Sequence, residues 1–213
     1  MRLYLSSAGL GSHLEQLQAM LGGGRKVLYV GNANDGNDSY RDDHVSDKKA
    51  EFESFGFEFF ELDLRQYFAP EKHEVLRTIV EATDLLWVGG GNTFVLRRAM
   101  AYSGLDVIVA NSLKQNIFVY GGSSAGSIVI TKTLHGAENG DDPYVVPAGY
   151  KAHIIWDGLG LIYPQLVPHF QSEWFGEEAK AMIDYFETNG FKYETLKDGE
   201  VYVVDGEYEE KRI

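Results

Sequence analysis

The feature that most limits how this chain can fold is a series of short apolar runs that stop abruptly on small or polar residues. Arg2–Ser6 (RLYLS), Lys26–Val30 (KVLYV), Leu85–Val88 (LLWV) and residues 117–120 (IFVY) are rich in Leu, Val and aromatic side chains and have strand length. A further strand is expected near residues 57–62. Longer amphipathic stretches separate them. Leu14, Leu17 and Leu21 recur at three- and four-residue spacing over residues 13–21, and Gly22-Gly23-Gly24 then ends that helix. Helices are also expected up to about Phe55, over residues 71–81, and from Phe94. Strands that alternate with helices in this way form a mostly parallel sheet with helices on both faces. Residues 32–43, dense in Asn, Asp and Gly, read as a polar loop.

After Gly126 the pattern changes. Residues 131–165 are rich in Gly, Pro and turn dipeptides, so loops with short strands are expected there. Residues 175–188 read as a late helix, and residues 200–204 with 206–211 as a terminal hairpin. No repeat, low-complexity tract or linker interrupts residues 1–213, which are read as one domain. A chain of this length buries roughly 70% of its unfolded surface.

Charge and composition narrow the function. Nineteen basic against thirty-two acidic residues give a net charge of −13. A field of that sign repels nucleic-acid phosphates and anionic lipid, so neither is an expected partner. Cysteine is absent, which removes thiol nucleophiles, disulfides and thiolate metal sites. No apolar run approaches the ~18 residues of a membrane span. The opening MRLYLSSAGLGSH lacks the apolar centre of a signal peptide. A cytoplasmic protein without metal or organic cofactor is the expectation.

The segment Gly122-Ser123-Ser124-Ala125-Gly126 fits the G-x-S-x-G pattern. A chain that leaves a strand, turns sharply and enters a helix forces its central serine into a strained conformation. Glycines two residues to either side keep the crowded turn clear. The IFVY run before it and Ile128-Val129-Ile130 after it supply that context. The Ala125 N–H would then point at a developing oxyanion. Gly89-Gly90-Gly91-Asn92-Thr93 is a second strand-to-helix glycine turn, without the Lys-Ser/Thr of a P-loop or the spacing of a dinucleotide fingerprint. By itself it reads as a tight turn capped by Asn92 or Thr93. Beside the serine turn, Gly91 or Gly90 becomes a candidate second oxyanion donor. In a parallel sheet both turns lie at strand carboxyl ends, the edge where such folds place their sites.

A serine nucleophile needs a base, and histidine serves near neutral pH. His13, His44 and His73 lie in polar or helical stretches and read as solvated. His169 closes the apolar run Leu166-Val167-Pro168, which puts an imidazole at a strand end; His135 and His153 are the fallbacks. No histidine pair has metal-ligand spacing. For the carboxylate that orients the imidazole, Asp141, Asp142 and Asp198 all sit in ordinary turn sequences, and the residues themselves do not choose among them.

Val88-Gly-Gly-Gly-Asn-Thr-Phe94, Gly122-Ser-Ser-Ala-Gly126, Asp157-Gly-Leu-Gly-Leu161 and Pro168-His-Phe170, in that order, resemble the dipeptidase E and cyanophycinase family of serine peptidases. The resemblance runs over roughly residues 1–206 and is densest from Val88 to Phe170. It implies a three-layer α/β/α sandwich with a mostly parallel sheet, like class I glutamine amidotransferases. It further implies Ser124 as nucleophile, His169 as general base, and the Gly91 and Ala125 N–H groups as oxyanion hole. For the acid it offers two positions: Asp141, in Asn139-Gly140-Asp141-Asp142-Pro143, and Asp198, in Leu196-Lys197-Asp198-Gly199, where the family has Glu. Relatives that cut after an N-terminal aspartate are thought to read its side chain with an arginine on the helix after the histidine. Here residues 171–188 hold Lys180 and no arginine, and an ammonium does not reproduce bidentate carboxylate recognition.

The implied activity is hydrolysis of short peptides by a serine exopeptidase or dipeptidase through an acyl-enzyme. Two other readings stand beside it: an esterase-type serine hydrolase, and a non-catalytic binding domain on an amidotransferase-like fold. Monomer and homodimer are equally compatible with the sequence, as are a lid or no lid at residues 32–43.

Overall fold

The computed structural model describes residues 1–206 and 208–212. Residue 207, in the expected hairpin, and residue 213, the last of the expected domain, lie outside the described residues. The strands are β1 (Arg2–Ser6), β2 (Lys26–Val30), β3 (Glu58–Glu61), β4 (Leu85–Val88), β5 (Val119–Ser123), β6 (Gln165–Val167), β7 (Tyr193–Thr195), β8 (Val201–Asp205) and β9 (Tyr208–Arg212). The helices are α1 (Leu14–Leu21), α2 (Asp38–Ser54), α3 (His73–Glu81), α4 (Thr93–Ser103), α5 (Leu105–Lys114), α6 (Ala125–Ile128) and α7 (Gly176–Asn189).

Seven strands form one sheet in the order β3-β2-β4-β5-β1-β8-β9. β3, β2, β4, β5 and β1 are mutually parallel; β8 runs antiparallel to β1, and β9 antiparallel to β8. Side chains alternate strictly between two cores. Leu3, Leu5, Leu28, Val30, Leu86 and Val88 face one, which α3 to α7 cover. Tyr4, Val27, Tyr29, Leu85, Trp87 and Val119 face the other, which α1 and α2 cover with Leu17, Met20, Val45 and Phe52. Because both faces are covered, the central strands read as unbroken apolar runs. Helix, sheet and helix make the three layers.

Four details differ from the sequence reading. The fifth strand is Val119–Ser123, not residues 117–120. It continues through the glycines because β4 and β1 pair with it on either side, Trp87 and Tyr4 both opposite Gly121. Residues 32–43 are not a loop throughout: Asn32–Asn34 is a 3-10 turn, and α2 starts at Asp38 with Asn37 as its N-cap, accepting from the Tyr40 N–H. The expected short strands in residues 131–165 reduce, among the described residues, to a bridge between Thr133 and Asp157 before β6 begins. That region is tied down instead by the buried Arg98 of α4, which donates to the carbonyls of Pro143, Val145 and His153. Lastly, β7 was not anticipated. It pairs with β6 in a separate two-stranded parallel sheet. No helix among the described residues is long and apolar enough to cross a membrane.

Candidate active site

At the carboxyl end of β5 the chain turns into α6 at Ser124, which holds φ 52° and ψ −110°. A methyl group on Gly126 would lie 2.0 Å from the Val88 carbonyl oxygen, and one on Gly122 would lie 2.5 Å from the Gly126 oxygen. Only glycine at both positions lets α6 seat against β4 this closely. The Ser124 N–H donates to the Ser6 carbonyl at 3.2 Å, and the Ser127 hydroxyl donates to the same oxygen at 2.8 Å. Such a backbone costs on the order of 1–3 kcal/mol and persists only where its surroundings enforce it.

His169 follows β6 and also has a positive φ, 61°. Among the described residues only four non-glycine positions do so: Asn116, Ser124, His169 and Gln171. Its imidazole Nε2 lies 2.9 Å from Ser124 Oγ, and Nδ1 lies 2.8 Å from Asp198 Oδ1. The Phe175 ring packs against the imidazole with centroids 5.0 Å apart.

Topology explains how Asp198 arrives there. β8 is antiparallel to β1 with Val201 opposite Ser6, so the start of β8 lies beside the end of β1. The preceding turn is closed by the Glu200 N–H donating to the Lys197 carbonyl at 2.9 Å. Ser7, the residue after β1, joins the parts. Its hydroxyl donates to Asp198 Oδ1 at 2.8 Å and accepts the His169 backbone N–H at 2.8 Å. Partial burial works to raise the Asp198 pKa, but hydrogen bonds from Ser7 and His169 outweigh it and hold the carboxyl below the ordinary range.

Asp141 has a different setting. Its Oδ2 accepts the backbone N–H of Thr93, the first residue of α4, at 2.9 Å. Asn92 is the N-cap of α4, accepting from the Phe94 and Val95 N–H groups at 3.0 and 2.9 Å, and its own amide donates to the Asp142 carbonyl at 2.9 Å. Asp141 thus completes the cap and lines the cavity. Burial raises its pKa.

The second glycine turn follows β4, the strand next to β5. Gly91 has φ 133°, open to glycine, and among the described residues nothing accepts its N–H. A side chain on Gly91 would run into Ala33 and Asn34, whose amide donates to the Gly90 carbonyl at 2.9 Å. Asn34 belongs to the 3-10 turn after β2. Beneath it, buried Asp35 accepts from Asn32 at 2.7 Å and Arg41 at 2.8 Å, and from the Tyr150 hydroxyl. The site therefore gathers residues from the carboxyl ends of β1, β2, β4 and β5, as open parallel sheets do.

These residues surround a cavity of about 370 Å³. Ser124, His169, Gly91 and Asp141 line it, and Ala125 begins α6 beside Ser124. Sequence reasoning missed two of its walls. Tyr40, His44 and Lys48, at four-residue spacing on α2, form one; Phe175, the residue before α7, with Glu178 and Met182 of α7 forms the other. His44, expected to be solvated, faces this cavity, and burial lowers its pKa. His73 is likewise engaged: its Nε2 lies 3.1 Å from the Tyr102 carbonyl. Of the fallbacks, His135 stacks on Trp156 at 4.3 Å, and His153 is exposed. The one available signal for Ser7 was a polar pair ending β1. Nothing in the polar α2 sequence distinguished a cavity face from a solvent face.

A family model for peptidase family S51 matches residues 3–211. The chain is 28% identical over 144 residues to the "Probable alpha-aspartyl dipeptidase" of Drosophila melanogaster, spanning 65% of this chain and 55% of that protein. It is 35% identical over 91 residues to peptidase E of Salmonella arizonae, spanning 43% of this chain and 36% of that protein. The chain thus spans about half or less of the length of these two curated relatives. The crystal structure of a candidate peptidase E from Listeria monocytogenes EGD-e superposes with a TM-score of 0.79 at 20% identity, over 99% of this chain and 97% of that one. That likeness establishes the α/β fold.

Proposed function

The chain belongs to peptidase family S51, and from that premise we propose that it is a serine exopeptidase or dipeptidase acting on short peptides. The observation that carries the proposal is the 2.9 Å contact between Ser124 Oγ and His169 Nε2. A neutral imidazole that donates its Nδ1 proton to Asp198 presents a free Nε2 lone pair to the serine hydroxyl. As Oγ attacks the scissile carbonyl, His169 takes the hydroxyl proton and Asp198 stabilises the imidazolium. The Gly91 and Ala125 N–H groups receive the oxyanion, each worth roughly 3 kcal/mol where water is excluded. The imidazolium then protonates the departing amine. Water, deprotonated by the same imidazole, releases the acyl group and regenerates the serine. A cavity of about 370 Å³ suits a small ligand better than an extended polypeptide.

Dipeptide turnover by the wild type and Ser124→Ala tests this. The variant is expected to lose several orders of magnitude in rate with its fold intact by circular dichroism. Full turnover by Ser124→Ala would overturn the mechanism. An organophosphonate that labels Ser124 would distinguish a hydrolase from a binding domain on the same fold.

A further inference from the structure

Charged groups are unevenly distributed around the cavity. On the α2 wall, Lys48 is already paired with Glu51 at 2.7 Å, and burial favours the neutral form of His44. On the α7 wall, Glu178 is half-buried and has no ionic or hydrogen-bonded partner among the described residues. Its stem packs against the Gly140 backbone, 3.4 Å from where a side chain would begin, next to Asp141. Lys180, the one basic residue of residues 171–188, is exposed and lies 3.6 Å from Asp184. Glu178 also falls in the first turn of α7, where an acidic side chain favours the helix. Glu177 occupies that turn too and is exposed to solvent, so the helix has a carboxylate there without one facing the cavity. An unpartnered carboxylate on the wall of a small cavity repels anionic ligands and pairs with cationic ones.

We propose that this cavity selects peptides that carry a positive charge toward α7, with Glu178 as the residue that reads it. The inference rests on the peptidase reading for its substrate, and concerns the specificity of the same site. The cation is the ammonium or guanidinium of a basic side chain, the one positive charge that distinguishes one dipeptide from another. The chain's net charge of −13 also favours the approach of cationic peptides over acidic ones.

Two measurements separate this inference from the reading beneath it. First, wild type and Glu178→Gln are compared on Lys-Ala, Ala-Ala and Asp-Ala. Second, calorimetry follows binding of the same peptides, and of Nα-acetyl-Lys-Ala, to Ser124→Ala and to Ser124→Ala/Glu178→Gln, where no cleavage intervenes. A preference for Lys-Ala over Ala-Ala of roughly five-fold is expected from one half-buried ion pair, carried in KM and lost in Glu178→Gln with kcat little changed. Glu178→Arg is expected to turn the preference toward Asp-Ala. Nα-acetyl-Lys-Ala, which keeps only the side-chain cation, is expected to bind Ser124→Ala more tightly than Ser124→Ala/Glu178→Gln; equal binding to the two would assign the contact to the N-terminus and overturn the inference. If Ser124-dependent cleavage occurs without charge preference, or Glu178→Gln changes melting temperature but not the ratio of peptides, this inference fails and the peptidase reading stands. If no peptide is cleaved but Lys-Ala binds through Glu178, the mechanism fails and this inference stands.

Discussion

Asp198 and Asp141 are the same residue type, both between regular elements and both close to His169, yet the fold treats them oppositely. Asp198 faces the imidazole Nδ1 at 2.8 Å, receives the Ser7 hydroxyl, and keeps its charge into acid. Asp141 faces the amino end of α4, binds the Thr93 N–H, and is pushed toward its neutral form by burial. The number of donors each carboxylate finds, set against its loss of water, decides which way its pKa moves. An acid suited to steadying an imidazolium must stay ionised while the imidazole gains a proton. Asp198 has that environment. Asp141 has the environment of a helix cap that forms part of a cavity wall.

The largest effect that could break this contrast comes from exchanging each acid for its amide. Asp198→Asn is expected to lower kcat by about 10²–10⁴-fold, because the amide disfavours the tautomer that leaves Nε2 free. Asp141→Asn, which can still accept from Thr93, is expected to stay within about ten-fold of wild type, as the loss of one cavity charge rather than of the relay. Steady-state kinetics on one dipeptide decide it, and a reversed order would exchange the roles assigned above.

Ser7→Ala sharpens the same contrast more gently. It removes a donor from Asp198 and leaves the His169 N–H without its acceptor. A stability loss of about 1–3 kcal/mol is expected from the unsatisfied buried donor, with a fall in kcat smaller than that of Asp198→Asn. Denaturant titration and kinetics read the two effects separately.

The smallest effect is in pH dependence. Asp141 has a raised native pKa, so between its unfolded and folded values the native state binds more protons than the unfolded state. Stability then falls as pH rises from about 4 through the native pKa. Asp141→Asn removes that fall, so the difference in melting temperature between the variant and wild type should grow with pH and then level off. Asp198 has the opposite sign: its contribution is present above the unfolded pKa and is lost as pH drops through the lower native one. A constant difference for Asp141→Asn across that range would place its carboxyl in water.

Much of this was legible in the sequence, for a physical reason. Strands buried on both faces must be apolar throughout, so β1, β2 and β4 stand out at their observed limits. The turn at Ser124 carries its own composition, with glycine at 122 and 126 where a side chain would clash. His169 was legible because it ends an apolar run. What could not be read depends on distant chain segments. Asp198 reaches His169 only through the register of β8 against β1. The start of α2 was hidden by its Asn- and Asp-rich capping sequence, and its cavity face by a polar composition in which Tyr40, His44 and Lys48 look like any solvated side chains. β7, at three residues, is too short to show a period.

The Ser7 clasp has a consequence for the order of assembly. During synthesis Ser124 and His169 are made before Asp198, and β1 gains β8 as its neighbour only after Asp198 has been added. Until β1 and β8 meet, the Ser7 hydroxyl and the His169 imidazole lack the carboxylate that both contact in the folded chain. A chain clipped before Asp198 would keep the contact between Ser124 and His169 without the carboxylate at Nδ1, and on the proposed mechanism it is expected to turn peptides over slowly.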